Sequence, residues 1–228
     1  MLYLSRLIID PQRREVQRDL GDCYNMHRTL LKAFPQVAEG NAAREQFGLL
    51  YRLEEHSGNL MRILVQSQHL PDWQQLPVGY LASTNDGPNP SVRPLDTVYG
   101  RISNGMQLRF RLRANPTKRV SARSNQEAKW YGKRIELRDE HQQLAWLARK
   151  GEQGGFRLLE AHANQPDVQA SNQNKVRGWQ RSNQLRFGAV LFEGRLEVLD
   201  HTNFLATLTR GIGSGKAFGF GLLSIAQG

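Results

Sequence analysis

The chain has 228 residues, long enough for one large domain or two small ones, and carries 31 Lys and Arg against 21 Asp and Glu, a formal net charge of +10. So basic a chain calls for a polyanionic partner, with nucleic acid ahead of an anionic membrane surface, because no run approaches the ~18 apolar residues a membrane span needs. A single cysteine, Cys23, excludes an intrachain disulfide, and no Cys cluster or His-x-x-x-His pair marks a metal site, so we expect a soluble, cytoplasmic protein with no cofactor and no metal.

In chain order, residues 2–9 read as a strand that Asp10-Pro11 ends. Across residues 14–34, Val16, Leu20, Cys23, Tyr24, His27, Leu30, Leu31 and Phe34 recur at spacings of three and four, which predicts one amphipathic helix closed by Pro35. Residues 47–55 and 59–68 predict a hairpin turning at His56-Ser-Gly58, residues 71–73 begin a short helix or loop, and residues 78–82 predict a further strand. Residues 83–94, with three prolines, predict a linker, and the domains are expected at 1–84 and 95–228 on either side of a link at 85–94.

The order then repeats. A strand is expected at 106–114, a hairpin through Gly132 and residues 135–137, and a helix from the cap Asp139 to Lys150. Strands at 156–163, 185–192 and 195–199 follow, with a polar, basic connection through Lys175, Arg177 and Arg181 before the second of them. A helix at 203–210 stops at Gly211, and after a glycine-rich loop the chain closes on a last strand. Two tandem β-α-β-β-α-β units make an α+β protein of two ferredoxin-like domains.

Two features carry chemistry. From Arg93 to Arg138 there are twelve Lys or Arg against three acidic residues, the footprint of a phosphate-binding surface. The loop Gly211-Ile-Gly213-Ser-Gly215-Lys216-Ala-Phe-Gly219-Phe-Gly221 suits either close approach to a phosphate backbone or a tight crossing between packed elements, and it lacks the spacing of a nucleotide-binding P-loop.

Four segments together resemble the CasE-type (Cse-three) CRISPR repeat-processing endoribonucleases of type I-E, within the RAMP superfamily. They are Tyr24-Asn-Met-His27-Arg28-Thr-Leu, Arg113-Ala-Asn-Pro-Thr-Lys118, Phe192-Glu-Gly194 and the terminal glycine loop with its Leu-Leu-Ser continuation. The resemblance spans nearly the whole chain. It implies metal-independent cleavage of precursor CRISPR RNA on the 3′ side of the repeat stem-loop, and retention of the mature crRNA with other Cascade subunits. It also places the catalytic pair on Tyr24 and His27. Without it, a Tyr and a His on a helix carrying Leu20, Leu30 and Leu31 read as packing residues.

A spacing of three puts Tyr24 and His27 on one helix face, within reach of one phosphate. Metal-free cleavage needs a base for the 2′-hydroxyl, a proton for the departing 5′-oxygen and donors for the charge on phosphorus, and it yields a 5′-hydroxyl and a 2′,3′-cyclic phosphate. His27 suits acid or base and Tyr24 a donor or positioner. Arg28 and Lys216 are candidates to neutralise the phosphate, and Arg113, Lys118, Arg119, Lys133, Arg134, Lys175, Arg177 and Arg181 to hold the RNA. Arg109, Arg111 and Arg113 alternate along one strand and share a face, expected toward RNA or solvent. The alternative is a non-catalytic RNA-hairpin-binding subunit.

Overall fold

Two four-stranded antiparallel arrangements of the same strand order make up the fold. The structure is a computed structural model and describes residues 1–36, 43–85, 87–120, 131–163, 165–180 and 182–227; Arg181 lies outside them. In the first sheet β1 (Tyr3–Ile9) is followed by α1 (Arg14–Gly21), α2 (Cys23–Leu31), a single turn α3 (Ala43–Gln46), β2 (Leu50–Glu55), β3 (Met61–Ser67) and β4 (Ser91–Pro94). The spatial order is β2-β3-β1-β4, with Tyr3 opposite Ser67 on one side of β1 and opposite Pro94 on the other. Leu7 and Ile9, with Tyr51, Ile63 and Val65 from the neighbouring strands, pack beneath Val16, Met26 and Leu30 of α1 and α2. Alternate residues of the strands thereby meet the apolar stripe of the helices.

Three expectations need correction here. The helix expected over 14–34 is two helices, because Asp22 takes an extended backbone (φ −143°) and its carboxylate accepts from the Tyr24 N–H, so it caps α2. The fourth strand is not 78–82 but β4, inside the expected linker. Residues 78–82 make only one bridge, Leu81 to Ile9, since Val78 is fully exposed and Gly79 has a positive φ. Beyond Ser91 the Asn89 side chain continues the pairing, accepting from the Ile8 N–H and donating to the Ile8 and Ala82 carbonyls at 2.7–2.9 Å. Where a second helix is expected, the described residues of the connection from β3 hold only a one-turn 3-10 helix, Trp73–Gln75.

A short α4 (Asp96–Tyr99) leads into the second unit. Its strands are β5 (Gln107–Ala114), the ribbon β6 (Thr117–Arg119) and β7 (Arg134–Glu136), β8 (Phe156–Leu158), the small ribbon β9 (Glu160–His162) and β10 (Gln165–Pro166), β11 (Val168–Gln180), β12 (Asn183–Val198) and β13 (Leu223–Gln227). Helices α5 (Glu140–Gln153) and α6 (His201–Arg210) cover one face. The main sheet runs β11-β12-β5-β13, with β8 paired to the far end of β12, so the order of the first sheet recurs. Its core joins Leu108, Phe110 and Leu112 to Trp146, Phe192 and Phe204.

The two strands expected at 185–192 and 195–199 are one 16-residue strand, β12, and the expected polar connection is its 13-residue partner β11. Gly194 permits the continuity: a Cβ there would stand 2.2 Å from the Asp167 carbonyl oxygen. On the shared face Arg109 is exposed and donates to the Gln227 carbonyl at 3.2 Å, whereas Arg111 turns toward the first unit. Arg111 reaches both Glu193 and, at 3.4 Å, Glu54 of β2. Between the units lies Arg52, 2 % exposed, which pairs with Glu54 and donates to the carbonyls of Arg111 and Leu222 at 3.1 Å.

Candidate active site and nucleic-acid interface

Helix α2 is held on two sides by the second unit. Against its start lies β11: a Cβ on Gly178 would sit 2.6 Å from Asp22 Oδ1 and 2.7 Å from Cys23 Sγ, so only glycine seats the strand there. The Trp179 N–H donates to Asp22 Oδ1 at 3.3 Å, which ties the cap of α2 to the hairpin. Burial, then the Asp22 charge, push the Cys23 thiol up to about 11, which keeps it protonated and inert.

The other side of α2 meets the glycine loop, whose one-turn 3-10 helix, Lys216–Phe218, brings Phe218 edge-on to His27 with ring centroids 6.3 Å apart. His27 is half-buried, and among the described residues its buried Nδ1 has no hydrogen-bond partner. Burial, reinforced by the Arg44 guanidinium, lowers its pKa to about 4. The imidazole is therefore neutral at physiological pH and able to accept a proton. Tyr24, also half-buried, stands one turn earlier on the same helix, and Arg28 is exposed in its last turn.

From His27 a line of rings crosses into the second sheet. Phe218 stacks on Phe187 of β12 at 5.1 Å, Phe187 meets Phe220 edge-on at 5.9 Å, and the Arg113 guanidinium lies 5.2 Å over Phe220. Arg113 also donates to Gln173 Oε1 of β11 at 2.8 Å, so it links the loop's Phe220 to the hairpin as well as supplying charge. Arg113, Lys175 and Arg177 line one cavity of about 620 Å³ with Cys23, Tyr51 and Phe218, at the junction of the two units. Lys175 has a counter-charge there in Glu136, at 3.4 Å.

The glycine loop is a tight crossing. Gly211 has φ 73° and ends α6, and a Cβ there would lie 2.8 Å from both the Gly221 carbonyl oxygen and a Leu50 methyl. The loop closes on itself through Ile212 N–H to Gly221 O and is tied to β5 through Gly221 N–H to Arg113 O, both 2.9 Å. Gly213, Gly215 and Gly219 likewise bring the backbone against Trp146, Phe220 and Tyr51. Lys216 is half-buried, and its pKa is lowered by burial and then by the nearby Arg44 and Arg210 charges.

A family profile described as "CRISPR associated protein" matches residues 2–227. The chain belongs to the CRISPR-associated protein family. It is 42 % identical over 233 residues, covering 99 % of this chain and all of the relative, to "CRISPR-associated endoribonuclease Cse3" of Thermus thermophilus. It is 30 % identical to "CRISPR system Cascade subunit CasE" of Escherichia coli, covering 99 % of each. Among solved structures, Thermus thermophilus Cse3 "bound to an RNA representing a pre-cleavage complex" superposes with a TM-score of 0.76 at 41 % identity, covering 99 % of this chain and 98 % of that one.

Within this CRISPR-associated chain the site residues expected from sequence fall into separate groups. Tyr24, His27 and Arg28 share α2, while Arg113, Lys175 and Arg177 converge on the cavity beside it. Lys118, Arg119, Lys133 and Arg134 sit on the β6–β7 ribbon, where Arg119 stands opposite Arg134 and donates to the Gly132 carbonyl at 3.1 Å. Of these four, Arg134 lines a cleft that also contains Lys216. Sequence reasoning missed Arg44 and Phe187, which reach the site by tertiary folding alone. It also missed the exposed face at the tip of the β11–β12 hairpin, where Arg177 stands directly opposite Arg186 and Trp179 is 56 % exposed. Opposed arginines repel across a ladder, and an anionic ligand relieves that repulsion; the paired positive charges were legible only once the register was known.

Proposed function

We propose that the protein is the endoribonuclease that cuts precursor CRISPR RNA on the 3′ side of the repeat stem-loop and remains on the mature crRNA as a cytoplasmic Cascade subunit. The observation that carries this reading is His27: a neutral imidazole with a nitrogen that has no partner among the described residues, set beside Tyr24 at the junction of the two units in a chain matched end to end by a protein named an endoribonuclease. We place the boundary between the units at Leu95, immediately after β4.

The chemistry follows from the groups present. Neutral His27 accepts the proton of the 2′-hydroxyl, whose oxygen attacks phosphorus. The bond to the 5′-oxygen breaks, that oxygen takes up a proton from the Tyr24 hydroxyl, and the proton His27 gained passes through water to the phenolate, so both groups regain their starting states. The products are a 2′,3′-cyclic phosphate and a 5′-hydroxyl, with no water consumed in the step. Arg28 and Lys216 offset the charge that builds on the phosphoryl oxygens. Arg113, Lys175 and Arg177 beside α2, with the β6–β7 ribbon carrying Lys118, Arg119, Lys133 and Arg134, hold the stem by its phosphates.

The test is cleavage of repeat stem-loop RNA in EDTA. We expect a cyclic-phosphate end from the wild type, none from His27→Ala at nearly unchanged affinity, and none from RNA with 2′-deoxy at the scissile nucleotide. Tight binding without cleavage by the wild type would instead establish a non-catalytic RNA-binding subunit, and cleavage of the 2′-deoxy strand would refute the 2′-hydroxyl mechanism.

A further inference from the structure

The one-turn helix Lys216–Phe218 has His27 at its Phe218 end, and at its Lys216 end opens a cleft of about 370 Å³. The β6–β7 ribbon, the ends of α5 and α6 and the glycine loop supply its walls. Arg134, Arg149, Lys150, Arg210 and Lys216 line it, and among the described residues no Asp or Glu does. Among the described residues none of the five forms an ion pair. Lys150 Nζ holds Gln153 Oε1 at 2.9 Å, and Arg210 Nε holds the Ala206 carbonyl at 3.3 Å.

Lys150 and Arg210 stand in the last turns of their helices, where a cation offsets the helix dipole for a few tenths of a kcal/mol. That role does not extend to Arg134, Arg149 and Lys216, which come from three different elements. Burial first, then the Arg44 and Arg210 charges, lower the proton affinity of Lys216 against an opposing pull from Glu45, and a cleft lined by five cations favours negative charge brought from outside.

We propose that this cleft holds the sugar-phosphate backbone of the unpaired strand flanking the stem-loop, next to the scissile nucleotide. The inference rests on the reading of the protein as an RNA endonuclease and adds a second contact surface to it. A recess of this size between helix ends admits one strand, whereas a duplex needs an open face such as the β11–β12 hairpin or the ribbon provides. Trp146 closes the floor against Gly213 with its ring buried, so the cleft offers charge and no exposed ring for a base to stack on. It grips the strand irrespective of sequence.

The experiment compares two 2′-deoxy-blocked RNAs on the full-length protein, a stem-loop with unpaired flanks and the same stem-loop without them, over a range of salt. The variants are Arg149→Gln/Arg210→Gln and Arg149→Gln alone, which leaves the last turn of both helices intact. For the double variant on flanked RNA we expect the slope of log affinity against log salt to fall by about 1.4, and the affinity by about 25-fold at 0.1 M salt, from two lost single-strand phosphate contacts. The single variant should lose half that slope, and both should bind the flankless stem-loop like the wild type. Equal loss on both RNAs, or a lowered melting temperature with no change in affinity, would overturn the proposal. So would stabilisation of the wild type by inorganic phosphate that the variants lack, without flank-dependent loss, since that would mark a free-anion site. A wild type that binds neither RNA would sink the endonuclease reading itself, and the strand site with it.

Discussion

Protonating His27 should cost the folded protein stability in a defined pH window. Its pKa in the fold is about 4, lowered by burial and by Arg44, against about 6.5 for a histidine in an unfolded chain. The unfolded state thus binds the proton more tightly, so the contribution is fully present above pH 6.5 and is lost as the pH falls toward 4. A gap of about 2.5 units corresponds to about 3 kcal/mol, of which about 2.5 kcal/mol is gone by pH 4.5. Urea unfolding of the wild type and of His27→Asn between pH 7.5 and 4.5 isolates the effect, because carboxylates titrate alike in both. The stability difference between them should shrink by that amount across the window. In the wild type the acid limb of kcat/KM, which reports the free enzyme, should lie near pH 4 to 5 rather than 6.5. Parallel unfolding curves with an acid limb at 6.5 would show that His27 sits in water and that its placement beneath Phe218 is wrong.

Two substitutions test the frame around α2. Gly178→Ala places a Cβ into Asp22 and Cys23, so it should destabilise by about 1–3 kcal/mol in urea titrations and slow single-turnover cleavage more than it weakens RNA affinity. Arg52→Met leaves the carbonyls of Arg111 and Leu222 without their donor and strips Glu54 of its most buried partner; a loss of about 3 kcal/mol is expected, with a smaller loss for Arg62→Met, whose side chain is 31 % exposed.

Much of the fold was legible because periodicity and turn residues agree with it: the β2–β3 hairpin, the cap at Asp139 and the glycine that ends α6 all stand where the sequence puts them. The break in the first helix was hidden because the apolar spacing of three and four runs on through Gly21 and Asp22, and only the competing cap signal marks it. β4 was hidden by Pro94 at its end and by Pro88 and Pro90 just before it; an edge strand accepts a proline where an inner strand does not. β11 escaped notice because much of it lies outside the core, so its polar residues carry no alternation while its backbone is still paired to β12. In the site, Tyr24 and His27 were visible as neighbours on one helix. The groups that set the proton affinity and packing of His27, namely Arg44, Phe218 and behind it Phe187, are distant in sequence, and local pattern carries no trace of such encounters.

The ring contact between His27 and Phe218 also has a bearing on when the site comes into being. During synthesis α2 emerges with its histidine open to water, and nearly two hundred further residues must be added before Phe218 can close over it. The growing chain thus carries an ordinary surface imidazole, and the unusual one arises only when the second unit docks. The surroundings of His27 are completed by residues made long after it, and the site exists only where both units are folded together.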